Sequence, residues 1–307
     1  MGSEMNITKE QVLGRIQQLK MERKAVILAH NYQIGEVQDI ADYTGDSLGL
    51  SQEAAVVEAE VIVFCGVHFM AETAAILSPQ KIVLLPDINA GCPMADMITA
   101  QEVREWKKKY PGRKVVSYVN TTAEVKAESD ICCTSSNAVK VVNSIEDDEI
   151  LFAPDKNLAA YVARQTQKKI IAWDGYCRVH NRIYANDVLG KKRLYPGAEV
   201  WVHPECRPEV IDLADKVLST GHMVKAARET SAKEVLIGTE AGIIYRLKKE
   251  NAETAFYPVK DMALCSNMKK INLHKVWKAL EEMKFRIEVP PEISQKARGA
   301  IERMIKI

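Results

Sequence analysis

No apolar run in the 307 residues approaches the roughly 18 needed to cross a bilayer as a helix, so a membrane-spanning role is not expected. The N-terminus lacks the basic and apolar regions of a secretory signal, and a cytoplasmic location is expected. No charge dominates either. Lys and Arg number 42 against 41 Asp and Glu, a net charge of +1, which gives no reason to expect nucleic acid or an anionic membrane as a partner. Low-complexity segments and long flexible linkers are also missing. Seven cysteines, an odd number, argue against a fully paired disulfide framework and leave metal ligands or buried thiols as the expected uses. Met1-Gly-Ser-Glu4, ahead of Met5, has the look of a cloning remnant and is kept out of the fold argument. What remains is a composition with 47% hydrophobic and 27% charged residues, that of a globular protein longer than one ordinary core needs.

That length is filled by one pattern repeated three times. His30, Tyr118 and His203 close three β-like runs, Val26-Ile-Leu-Ala-His30, Lys114-Val-Val-Ser-Tyr118 and Glu199-Val-Trp-Val-His203, at intervals of 88 and 85 residues. Asp42, Asp130 and Asp215 lie 12 residues beyond these anchors, and Ser47, Ser135 and Thr220 lie 17 beyond. Short runs that are apolar on both parities pass through Phe64, Phe152 and Ile237, as strands buried on both faces do. Third apolar runs lead to Cys92, Cys177 and Cys265. Strands alternating with helices imply parallel sheets joined by right-handed crossovers. The expected fold is therefore α/β: three homologous three-layer α/β/α domains with short parallel sheets about a pseudo-threefold axis. Their expected spans are 25–112, 113–198 and 199–270, with helical segments at 1–24 and 271–307 packing on the repeats. In the first of these segments Val12, Leu13, Ile16 and Leu19 share one side behind Thr8 as N-cap.

The three register cysteines are too far apart for a local zinc ribbon or ferredoxin motif, so only the tertiary fold can bring them together. Ligands in open parallel sheets sit beyond the carboxyl ends of the strands, where each of these thiols falls. A site of three thiolates suits a [4Fe–4S] cluster with one iron open, or a catalytic zinc; spacing does not separate the two. Cys65 reads as core filler, and Cys132, Cys133 and Cys206 stand outside the register. Ser47, Ser135 and Thr220 read as N-caps of helices whose first turns would hold carboxylate or phosphate. The strand ends differ from copy to copy, His30-Asn31-Tyr32, Tyr118-Val119-Asn120 and His203-Pro204-Glu205, which suggests a division of labour in proton transfer. His68, His180, His222 and His274 have no threefold counterparts and are read as structural or supporting.

Ala29-His-Asn-Tyr-Gln33, Ile40-Ala-Asp-Tyr-Thr-Gly-Asp-Ser47, Phe69-Met-Ala-Glu72, Cys92-Pro-Met-Ala95, Tyr118-Val-Asn120, His203-Pro-Glu-Cys206, Ser219-Thr-Gly221 and Asn267-Met-Lys-Lys270 together resemble the quinolinate synthase (NadA) family, from about Lys20 onward. The resemblance implies an enzyme of de novo NAD biosynthesis that condenses iminosuccinate with dihydroxyacetone phosphate to give quinolinate, phosphate and water. It implies one [4Fe–4S] cluster per chain on Cys92, Cys177 and Cys265, with one iron not held by protein. Family substrate contacts fall on His30, Tyr32, Ser47, Tyr118, Asn120, Ser135, His203, Glu205 and Thr220; Tyr32, His203 and Glu205 are the expected catalytic groups. An L-aspartate oxidase or aspartate dehydrogenase is implied as the source of iminosuccinate. The segment Gly175-Tyr-Cys177-Arg-Val-His180 matches the family only loosely. The additional C-terminal cysteine motif of longer members has no counterpart here, so switching through that motif is not expected. The competing expectations are a zinc aldolase or hydrolase on the same thiols, a non-catalytic Fe–S sensor or electron carrier, and a solute-binding module, the least favoured.

Overall fold

A computed structural model of the chain describes residues 7–307; Met1–Glu4 lie outside the described residues. Among the described residues twelve strands form three separate four-stranded sheets, all parallel. The first contains β1 (Ala25–His30), β2 (Tyr43–Gly45), β3 (Val61–Cys65) and β4 (Ile82–Leu84) in the order β2-β1-β3-β4. The second contains β5 (Lys114–Tyr118), β6 (Ile131–Cys133), β7 (Glu149–Ala153) and β8 (Lys169–Ala172), ordered β6-β5-β7-β8. The third contains β9 (Glu199–Val202), β10 (Lys216–Val217), β11 (Glu234–Gly238) and β12 (Ala255–Pro258), ordered β10-β9-β11-β12. The fold is thus α/β with three copies of one sheet topology. The run leading to each register cysteine is the fourth, outer strand of its sheet once the short second strand is counted.

The repeated aspartates explain the short second strand. Asp42, Asp130 and Asp215 each accept from the backbone N–H of the central strand three residues before its anchor: Ile27 at 2.7 Å, Val115 at 2.9 Å and Val200 at 2.7 Å. Their own N–H groups donate back to the carbonyls of Ile27, Val115 and Val200 at 2.9, 3.0 and 2.8 Å. One carboxylate thus closes a two-point clamp that sets where the crossover re-enters the sheet.

Alternation along the strands divides the core. In β7, Ile150 and Phe152 join the large central core, whereas Leu151 and Ala153 pack outward with Val103 and Trp106 of helix Ala100–Lys109. In the third sheet, Trp201, Val235 and Ile237 point to the central core, while Val200, Val202 and Leu236 face Val188 of helix Ala185–Leu194. The opening helix Lys9–Glu22 starts with a capping box at Thr8 and buries Val12, Ile16 and Leu19. Helix Leu273–Glu282 packs beside it, and helix Pro291–Ile305 lies against helices His68–Leu77 and Ala123–Ala127, joining the first and second sheets. No helix of the described residues is long and apolar enough to cross a membrane.

Asp215 has no ion-pair partner among the described residues, so its clamp can be tested alone. Asp215→Ala is expected to lower stability by about 1.5 kcal/mol in urea unfolding, the usual worth of a hydrogen bond to a charged group. Asp215→Asn, which keeps an accepting oxygen, should lose less than half of that.

Candidate functional site

The carboxyl ends of β1, β5 and β9 turn toward one cavity of about 440 Å³. Its walls include every residue nominated from the sequence: His30, Tyr32, Ser47, Cys92, Tyr118, Asn120, Ser135, Cys177, His203, Glu205, Thr220 and Cys265. Tyr32 and Glu205 lie in tight turns closed by Gln33 N–H to the His30 carbonyl and Cys206 N–H to the His203 carbonyl, both at 2.9 Å, and Asn120 lies in the bend after Tyr118; all three line the cavity with the anchors.

The two anchor histidines are set alike. His30 Nδ1 accepts from the Tyr32 N–H at 3.1 Å, and His203 Nδ1 accepts from the Glu205 N–H at 3.3 Å. Both rings therefore carry their proton on Nε2, and His203 Nε2 lies 3.2 Å from Ser135 Oγ. Burial, the largest influence on each, lowers the His30 pKa to about 4 and the His203 pKa to about 3. The Glu205 carboxylate at 3.3 Å from His203 Nδ1 hence faces a neutral ring, not a cation.

His180 belongs to this group, although the sequence marked it only as structural or supporting. It lies three residues beyond Cys177, in the 3-10 turn His180–Arg182, and is 1% exposed. Its ring stacks on His203 with centroids 4.5 Å apart; Nδ1 lies 2.7 Å from Glu205 Oε2 and Nε2 lies 2.7 Å from Thr239 Oγ1. Thr239 Oγ1 is in turn 2.6 Å from the Tyr32 hydroxyl. Glu205, His180, Thr239 and Tyr32 thus form a continuous polar chain. Burial pushes the Glu205 pKa up, but His180 beside it, then His203 and the Tyr118 hydroxyl, outweigh this and the net shift is downward. Tyr32 and Tyr118 are driven well above the ordinary phenol value, chiefly by burial. Asn120 Oδ1, His180 Nδ1 and Glu205 Oε1 are buried without hydrogen-bond partners among the described residues, as expected where a ligand completes the set.

The hydroxyls take a different part from the expected one. The cap of helix Ser47–Val56 is Asp46, whose Oδ1 accepts from Gly49 N, and the cap of helix Thr220–Glu229 is Ser219, which accepts from His222 N. Ser135 lies in the turn before Asn137, the residue preceding helix Ala138–Asn143. Capping falls to neighbouring residues, which leaves the hydroxyls of Ser47, Ser135 and Thr220 free to face the cavity. The neighbours also meet one another: Ser136 Oγ donates to Asp46 Oδ2 at 2.5 Å and lies 2.8 Å from Ser219 Oγ. A Cβ on Gly221 would stand 2.6 Å from that same Asp46 oxygen, so only glycine fits there.

The cysteine loops are tied down in one way three times. The carbonyls of Ala90, Gly175 and Ala263, two residues before Cys92, Cys177 and Cys265, accept from the N–H groups of His68, Lys156 and Ala241, each at 2.8 Å. Three residues after each cysteine a 3-10 turn begins, at Ala95, His180 and Met268. Two loops gain a buried acid: Asp155 Oδ2 accepts from Cys177 N at 2.9 Å and Glu240 Oε1 from Cys265 N at 3.0 Å. None of the seven cysteines is in a disulfide. The three of the register are half-buried at the cavity wall, and Cys65, Cys132, Cys133 and Cys206 are buried. Burial raises all three register thiols, Cys92 to about 12, while N–H groups of the following turns pull the other way. Three unpaired sulfurs aimed into one cavity, each receiving backbone N–H groups that favour the anion, form a donor set that fits an iron–sulfur group or another soft metal.

A family model described as Quinolinate synthetase A protein (NadA) matches residues 14–306. A quinolinate synthase of Dehalococcoides mccartyi (strain CBDB1) is 60% identical over 299 residues, covering 97% of this chain and 99% of that protein. One from Thermodesulfovibrio yellowstonii is 54% identical over 99% of both chains. Quinolinate synthase 1 of Methanosarcina acetivorans is 53% identical over 96% of this chain and 97% of its own.

The buried neutral histidines carry a pH signature. Free His titrates near 6.5, so between about pH 6.5 and 4 the unfolded chain binds more protons than the folded one. Their contribution to stability is fully present above that window and is lost as the pH falls through it. The melting temperature of metal-free protein should drop from pH 7 to 4.5, and His203→Asn should make that drop shallower; identical slopes would remove His203 from the effect.

Proposed function

The chain belongs to the quinolinate synthetase A (NadA) family, and we propose that it condenses iminosuccinate with dihydroxyacetone phosphate to give quinolinate, phosphate and water for NAD biosynthesis. The observation that carries this reading is the meeting in one cavity of the register thiols, the free hydroxyls and the Glu205–Tyr32 chain. Cys92, Cys177 and Cys265 would hold one [4Fe–4S] cluster with one iron not ligated by protein. The chemistry such a cluster supplies is Lewis acidity at that iron, suited to a hydroxyl lost as water. Iminosuccinate would come from an enzyme that oxidises L-aspartate, an oxidase or a dehydrogenase.

Both substrates are anionic, and the cavity offers neutral donors beside the cations Arg178, Arg182 and Lys260 of its wall. The Nε2–H groups of His30 and His203 and the hydroxyls of Ser47, Ser135, Thr220 and Tyr118 would hold carboxylates and phosphate. Asn120 would bind with its unpartnered Oδ1 toward a substrate N–H or hydroxyl. The first turns of helices Ser47–Val56 and Thr220–Glu229 add their dipoles to the hold on the anions. Tyr32, neutral at working pH, is the acid: its proton assists loss of phosphate and isomerisation of the triose. Glu205, kept anionic, is the base and takes a proton from carbon. His180 and Thr239 lie between the two, and turning the His180 ring into line with the carboxylate would let a proton accepted at Glu205 be returned at Tyr32 without entering solvent. His203, stacked on His180, keeps that ring in line and steadies the leaving oxygen with its Nε2–H.

The test is iron, sulfide and zinc analysis of protein purified without oxygen, followed by assay with iminosuccinate generated in place. About four irons per chain are expected, with quinolinate formed; four irons without quinolinate, or hydrolase or aldolase turnover by an iron-free, zinc-loaded chain, would overturn this reading. Glu205→Gln and Tyr32→Phe should keep the iron and lose roughly 100-fold or more in turnover. Cys177→Ser should lose the iron itself. A fully active Glu205→Gln would remove Glu205 from the mechanism.

A further inference from the structure

The cavity contains a second donor set that cuts across the threefold register. Cys177 Sγ, a ring nitrogen of His180 and a carboxylate oxygen of Glu205 lie within 4.8 Å of one another. Cys92 and Cys265 are not part of it. Two atoms of the set are left without partners, His180 Nδ1 and Glu205 Oε1, on side chains that are 2% and 4% exposed. His180 Nδ1 approaches Glu205 Oε2 to 2.7 Å yet makes no aligned hydrogen bond, so the contact is an electrostatic one that a cation between the two would satisfy better. At the far side of the ring, Nε2 is engaged by Thr239 Oγ1 at 2.7 Å. This contact orients the imidazole with Nδ1 toward the carboxylate, as an outer partner does for a metal-binding histidine.

We propose that the cluster-free protein binds one Zn²⁺ at Cys177, His180 and Glu205, and that this ion and the iron–sulfur cluster exclude one another because both require Cys177. The exclusion rests on the cluster assignment above; the zinc site does not. Thiolate, imidazole and carboxylate are the three donor types zinc takes, and three protein ligands leave its fourth position to water. The charges also balance: a thiolate and a carboxylate neutralise a divalent ion in a place where an unpaired charge is costly. Binding displaces the proton of the Cys177 thiol, while the imidazole binds neutral through Nδ1 with Nε2–H toward Thr239 Oγ1, so uptake weakens as the pH falls. A chain that lost its cluster, or had not yet received it, would be held by zinc in a form unable to assemble the three-thiol site.

Cobalt(II) serves as a coloured probe for zinc and is titrated into metal-free protein. One ion per chain is expected, with the charge-transfer intensity of a single sulfur ligand. His180→Asn should weaken binding at least about tenfold, Cys177→Ser should abolish the sulfur band, and Cys92→Ser should leave both unchanged. No binding, or a three-sulfur band lost in Cys92→Ser and retained in His180→Asn, would overturn the site. The cysteine pair keeps the test decisive if circular dichroism shows that His180→Asn does not fold. In a second arm, iron and sulfide are offered with and without one equivalent of zinc. Iron uptake reduced by bound zinc supports exclusion, and full uptake with zinc retained overturns it. Failure to take up iron even without zinc counts against the cluster assignment, while the zinc site stands or falls on cobalt alone.

Discussion

One carboxylate joins the three repeats at their centre. Asp46 caps a helix of the first repeat, accepts from Ser136 of the second, and lies against Gly221 of the third, with Ser219 bonded to the same serine. A charged acceptor shared in this way is worth more than a neutral one, and it is only half-buried, so its desolvation cost is modest. The consequence is geometric. With the capping done by Asp46 and Ser219, the adjoining hydroxyls of Ser47 and Thr220 are released to the cavity, and the helix N-termini stay close enough to act on one ligand. A Cβ at Gly221 would displace the Asp46 carboxylate from Ser136 or move the helix that begins at Thr220, and either loosens that grouping.

Much of this was legible in the sequence, because the repeat multiplies a weak signal by three. A single Asp 12 residues after a strand means little, whereas three of them mark a register; the structure adds the role the sequence left open, the clamp on Ile27, Val115 and Val200. The same logic picked the three thiols out of seven, and the cavity contains those three. Register reasoning failed where the cap stands one residue before the aligned hydroxyl. The hydroxyls at Ser47 and Thr220 were read as caps because they precede helices, but the capping oxygen belongs to the residue before each. Pattern fixes a cap only to within a position, since the residue that caps is decided by backbone angles.

His180 exposes the opposite weakness. The repeat gives it no support, since no histidine stands at Ala95 or Met268, the matching positions after Cys92 and Cys265. Lack of symmetry is a reason to doubt a structural role in the repeat; it is no reason to doubt a chemical one. Asp155 and Glu240, equivalent to Val67 and buried behind two of the three cysteine loops, were missed for the same reason. A hint was present in the sequence: a histidine three residues from a nominated thiol is within reach of whatever that thiol binds.

The division between symmetric and asymmetric parts follows from what each must do. Backbone ties such as those from His68, Lys156 and Ala241 to Ala90, Gly175 and Ala263 can repeat, since three loops must arrive at one point in one conformation. Proton transfer cannot be threefold: an acid and a base with the same surroundings would have the same pKa and no direction between them. The symmetric backbone therefore delivers three strand ends, and the side chains differentiate them. The first contributes the buried phenol of Tyr32, the second an uncharged Tyr118 and Asn120, and the third the carboxylate of Glu205 with a neutral His203. His180, carried in on the loop of one cysteine, connects Tyr32 of the first repeat, through Thr239, to Glu205 of the third, and so ties that polar chain to the loop that presents Cys177.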